Sequence, residues 1–125
     1  MRVFVLVILF LITGCATSTP LHRDSHWAAA ADVATTSYGL NHGLREANPL
    51  GFWGTTAAKA AYLFLLRPQM DEAALRAADR MTSAFWWGAS ANNVLQIMFP
   101  HLFILGAGVG VAVGFHLYDL DEPAP

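Results

Sequence analysis

Cysteine occurs once in these 125 residues, at Cys15. An internal disulfide is thereby excluded, and so is any multi-cysteine metal site. Basic residues are few: seven Lys and Arg stand against nine Asp and Glu, for a formal net charge of -2. Scattered as they are, they offer no basic stripe to a phosphate backbone, so nucleic acid is not an expected partner. Lysine appears only as Lys59. Also missing are HExxH, GxSxG and any other recognised nucleophile or metal signature, so no catalytic residue, no metal ligand and no cofactor is assigned. What the chain has in abundance is apolar: 55% of residues are hydrophobic and 13% charged, a balance that points a single small domain toward a membrane.

The first segment, MRVFVLVILFLITGC, has a cationic start at Arg2 and unbroken apolar residues from Val3 to Ile12, then Thr13, Gly14 and Cys15. That is the layout of a secretory signal. Its closing ITGC resembles the bacterial lipobox, whose cysteine takes a diacylglyceryl thioether and becomes the new N-terminus. The resemblance implies that residues 1–14 are a signal peptide and that Cys15 is the lipidation site. It places the mature protein at the bacterial inner membrane, with its N-terminus on the periplasmic or outer face. Acyl chains would anchor it at roughly 0.8 kcal/mol per buried methylene. Residues 15–25, with Pro20, His22, Arg23 and Asp24, then read as a polar tether. His22 and His26 are four apart, but an exposed pair in a linker is weak evidence for a metal site.

Residues 26–118 divide into four candidate helices, about Trp27–Gly43, Phe52–Leu66, Met81–Phe99 and His101–Tyr118, and residues 119–125 form a short acidic tail. Between the second and third lies RPQMDEAALRAADR, expected as a solvated charged connector or a short amphipathic helix resting at an interface. The 36 positions from Ser83 to Tyr118 hold no Asp, Glu, Lys or Arg. As one helix they would reach roughly 54 Å, well past a hydrocarbon core of about 30 Å, so Pro100 is expected to fold them into a hairpin. Trp86, Trp87 and Tyr118 suit anchoring at headgroup level. Gly106, Gly110 and Gly114 recur every four residues, which lets a neighbouring helix approach, in the same chain or in a homodimer. The expected fold is therefore all-α, a small membrane bundle of three to four hydrophobic helices. If all four span, Arg67, Arg76 and Arg80 fall outside, against the usual cytoplasmic bias of basic residues; a re-entrant first helix would reverse that.

Polar residues inside the apolar region carry the functional question. Asp32, Thr36, Gly39, Gly43 and Glu46 are spaced by four, three, four and three, which puts them on one helical stripe, with Thr35 and His42 beside it and Asn48 and Pro49 just beyond. In lipid a charge at mid-depth costs at least about 2.5–3.5 kcal/mol, so this stripe must face partners. Those on offer are Lys59, Asn92, Asn93 and Gln96. The expected arrangement pairs Asp32 or Glu46 with Lys59 and lets Asn92 or Asn93 complete the hydrogen bonding.

The order DVATT, then EANP, then a lysine in the next apolar helix resembles the uncharacterised prokaryotic membrane family known as domain of unknown function 5658. The resemblance covers about residues 30–66 and rests on Asp32, Thr35, Thr36, Glu46, Asn48, Pro49 and Lys59. It implies a membrane bundle with a polar core and no known activity; the lipobox and tether in front depart from the family's pattern. The function expected is that of a lipid-anchored structural or interaction subunit of the envelope, contacting membrane lipid through Cys15 and a membrane protein or a second copy of itself. The alternatives are a membrane-face hydrolase or a small transporter using Asp32, His42, Glu46 and Lys59.

Overall fold

A computed structural model describes residues 24–45, 48–101 and 103–120. The expected signal peptide, Cys15, most of the expected tether, Glu46 and the end of the expected acidic tail lie outside the described residues. Within them the chain is all-helical. Helix α1 spans Ser25–Asn41, α2 Gly51–Ala61, α3 Glu72–Met98 and α4 Phe103–Leu120. Helix α2 is prolonged by a π turn at Tyr62–Leu66 and a 3-10 turn at Arg67–Gln69.

Local chemistry sets these limits. Asp24 caps α1 by accepting from His26 N–H at 2.8 Å, so the helix takes in Ser25, which composition had assigned to the tether. At its other end α1 stops at Asn41, short of the expected Gly43, because Gly43 adopts a left-handed φ of 90°. Gly43 N–H reaches Leu40 O and Leu44 N–H reaches Gly39 O, the two bonds of a Schellman cap. The side chain of Leu44 folds back over Gly39, where an added Cβ would lie 2.8 Å from Leu44 Cδ1. The stripe read from the sequence therefore ends, as helix, before Gly43. Asn48 and Pro49 then open a tight turn closed by Gly51 N–H to Asn48 O at 2.9 Å.

The charged connector is not a separate element. Asp71 accepts from Ala74 N–H at 2.8 Å and starts a helix that nothing interrupts before Phe99, so the connector from Glu72 to Arg80 is helical, as the first turns of α3. At 27 residues, α3 is the longest helix among the described residues, and α1 and α4 pack along it. Helix α4 likewise continues past Tyr118 to Leu120, taking in the first residues of the expected tail.

Four helices alternate in direction. Ser25 meets Asp79 and Thr36 meets Asn93, so α1 runs parallel to α3. Helix α4 runs antiparallel to α3. Gly106, Gly110 and Gly114 face Asn92, Gly88 and Ala84 in turn, four residues per step on each side. These glycines thus pack against a helix of the same chain. The interior is made of small groups: Ser25, Ala28, Ala29, Ser83, Ala84 and Ser90 are buried, with Leu63 and Trp86 as the large exceptions. Large apolar side chains point outward instead, Ile104 at 85% exposed, Trp53 at 79% and Phe85 at 70%. Among the described residues no helix is long and apolar enough to cross a membrane.

The glycine register makes a sharp contrast testable. A Cβ on Gly110 would sit 2.6 Å from Gly88 O and 2.9 Å from Asn92 Cβ, whereas one on Gly108 meets nothing within 4 Å. Gly110→Ala should destabilise the protein by about 1–3 kcal/mol. Gly108→Ala should be neutral or stabilising by up to about 1 kcal/mol through helix propensity. Thermal melting followed by far-ultraviolet circular dichroism measures both.

A polar cleft as candidate functional site

Asp32 lies mid-way along α1, on the face turned toward α3, and is 7% exposed. Its carboxylate cannot stay there unpaired. Lys59 Nζ, from α2, stands 2.6 Å from Asp32 Oδ2. Asn93 Nδ2, from α3, donates to Asp32 Oδ1 at 3.1 Å, to Thr35 Oγ1 at 3.2 Å and to Thr36 Oγ1 at 2.8 Å. Thr36 Oγ1 in turn donates to Asp32 Oδ1 at 3.4 Å. Thr35 spends its own proton on Ala31 O at 2.9 Å, which leaves its oxygen free to accept from Asn93. One carboxylate thus joins three helices.

Of the residues singled out by sequence, Asp32, Thr35, Thr36, Lys59 and Asn93 come together. Asn92 does not join them. One position along α3 it points about 100° away, toward α4, where its Oδ1 accepts from Gln96 Nε2 at 2.9 Å and would meet a Cβ on Gly106 at 3.0 Å. Asn48 is exposed in the α1–α2 turn, where its Oδ1 accepts from Leu50 N–H at 3.0 Å, although it borders the same cleft. His42 is exposed as well. It stacks on Tyr38 at 3.9 Å between ring centroids, its Nδ1 lies 2.8 Å from Tyr38 O, and it does not line the cleft. Among the described residues no three His, Cys, Asp or Glu side chains are grouped to hold a metal ion.

The network forms one wall of a cleft of about 570 Å³ between α1, α2 and α3. Leu40, Leu44, Leu50, Phe85 and Trp86 supply apolar walls, while Arg45 stands exposed at its edge in the loop after α1. The set can hold an ion pair in fixed geometry and present leftover hydrogen-bonding capacity to a guest.

A second centre lies at the opposite end of the bundle. Asp79 receives Arg67 through Nη2 at 2.9 Å and Nε at 3.1 and 3.2 Å, Ser25 Oγ at 2.9 Å and Tyr62 OH at 2.9 Å. Helices α1 and α3 and the end of the second helical segment are tied together there. Beside it Arg80 Nε donates to Tyr118 O at 2.8 Å and its guanidinium covers the Tyr118 ring at 3.8 Å, which fastens α4. Sequence reasoning assigned Arg67, Asp79 and Arg80 to a solvated connector. The available signal was the buried stripe of α3: stepping back from Asn93 by threes and fours meets Ser90, Trp86, Ser83 and then Asp79.

No known protein family, curated protein or solved structure matches this chain. The resemblance over residues 30–66 therefore rests on the polar residues quoted for it.

Burial of Asp79 by itself would raise its carboxyl, but the hydrogen bonds from Arg67, Ser25 and Tyr62 and the charge of Arg67 outweigh burial and hold it below the ordinary range. A depressed folded-state value means that the stabilisation is fully present above about pH 4 and is lost as pH falls through the folded value. Melting temperature should therefore drop on acidification in the natural protein and drop less steeply in Asp79→Asn. Melts across a pH series compare the two slopes.

Proposed function

We propose that the chain is a lipid-anchored helical protein of the bacterial inner membrane, acting as a structural or interaction subunit of the envelope. The observation that carries this is the distribution of side chains: the Asp32–Lys59 pair and small residues lie inside, and many large apolar residues lie outside. A water-soluble bundle has the opposite order. In lipid, by contrast, helices pack through small residues and inward-facing polar groups.

That arrangement also bears on the modest hydropathy of α1 and α3. Asp32, Lys59, Thr36 and Asn93 lower the average of the helices that carry them, yet they face one another and leave the outer surfaces to Trp53, Phe64, Phe85 and Phe115. From Asp79 to Met98 helix α3 spans roughly 30 Å, about the thickness of a hydrocarbon core. The Arg67–Asp79 and Arg80–Tyr118 groups would then sit at headgroup level on the side of the α1 N-terminus. A Cys15 anchor belongs on that same side. The reading places Arg67, Arg76 and Arg80 outside, so orientation would be set by the lipobox rather than by basic residues.

Topology reporters fused after Arg45, Ala78 and Pro125, combined with radiolabelled palmitate incorporation, test this. The expected result is Cys15-dependent labelling, lost in Cys15→Ser, with the Arg45 reporter cytoplasmic and the other two periplasmic. Absence of label, or all three reporters on one side, contradicts it.

A further inference from the structure

The cleft beside the Asp32–Lys59 pair has features that a structural role does not require. Helices held by a satisfied ion pair need no open volume next to it, yet about 570 Å³ is left there, within the range of roughly 300–1,000 Å³ usual for small-molecule sites. Its charged lining among the described residues is Asp32, Lys59 and Arg45, a net charge of +1 by adding one negative and two positive side chains. Asp32 is saturated by its three partners. Lys59 has three N–H donors, and the ion pair to Asp32 engages one. Cationic donors are thus left over at Lys59 and Arg45, and Leu40, Leu44, Leu50, Phe85 and Trp86 give the cleft an apolar side opposite its Thr, Asn and Gln residues.

We propose that this cleft binds a monoanionic amphiphile, its head taken by Lys59 and Arg45 and its chain laid along Leu44, Phe85 and Trp86. A neutral head would leave the extra positive charge uncompensated. A dianion would compete with Asp32 for Lys59. A guest without a chain would leave the apolar wall wet. The same head chemistry is supplied by a free fatty acid and by the phosphodiester of a phospholipid. The assignment rests on the cleft and holds whether or not Cys15 carries lipid.

Trp86 lies in the wall and serves as the reporter. The full chain in dodecyl maltoside micelles is titrated with 11-bromoundecanoate and, separately, with 11-bromoundecanol, whose bromine quenches tryptophan on contact. Bromoundecanoate should give a saturable quench that Trp86→Phe removes, and the alcohol only the linear quench of partitioning into micelles. Arg45→Gln, at an exposed position, should raise the half-saturating concentration by about two- to five-fold, the worth of one exposed ion pair. Ala58→Phe, which fills the cleft from α2, should abolish saturation while the melting temperature stays close to that of the natural chain. Displacement by unbrominated laurate assigns the free acid as guest, and displacement by phosphatidylglycerol in mixed micelles assigns the lipid headgroup. Equal quenching by acid and alcohol, or saturation that survives Ala58→Phe, overturns the proposal.

Discussion

A carboxylate placed half-way along an alanine-rich helix is the constraint on which this bundle depends. Asp32 is almost wholly removed from solvent, and a lone ionised group in that position costs more than a small domain's whole margin of stability. Lys59 must therefore come to it, and Lys59 brings α2 along. Helix α2 has few other ties to α1, and its straight portion contributes no buried residue. Its far end is held by the other ionic centre, through Arg67 and Tyr62 on Asp79. The second helical segment is thus attached at two levels by charge and hydrogen bonding, with Leu63 and the edge-on contact of Tyr62 with Trp86 between them. Such pairs fix register and orientation more than they add net stability, since each repays its own desolvation.

Attachment of α4 follows a different principle. Glycine faces glycine along the α3–α4 seam, so the backbones come close enough for dispersion to act over their length. Arg80 closes the end of that seam on Tyr118. Helix α3 consequently carries two faces of distinct chemistry. Ser83, Trp86, Ser90 and Asn93 turn toward α1 and α2, whereas Ala84, Gly88 and Asn92 turn toward α4. The interior that results is largely small and polar, and many large apolar side chains lie on the exterior.

Much of this was legible in the chain because polar residues are so rare in it. Asp32, Thr35 and Thr36 could only face inward, and a single lysine left few choices of partner. What spacing could not resolve was which of two adjacent asparagines would serve, since neighbours on a helix point about 100° apart and α3 is packed on both sides. The end of α1 is less legible, because the three-and-four spacing runs on through Gly43 to Glu46 while the helix stops at Asn41. The competing signal, a glycine followed by a leucine that closes a Schellman cap, was present but weaker to the eye. Asp79 was hidden by its company: among Asp71, Glu72, Arg76 and Arg80 it read as one more solvated charge. Only its place on the stripe of Ser83, Trp86 and Ser90 distinguishes it.

The account stands on the claim that Asp32 and Lys59 are one unit holding α2 to the bundle, and a double-mutant cycle addresses it directly. Lys59→Met should cost about 3–5 kcal/mol by stranding the carboxylate, and adding Asp32→Asn should recover most of that loss. Unfolding by denaturant in micelles, followed by circular dichroism, gives the coupling. Two single losses that simply add would show that the residues act independently, and would contradict the account.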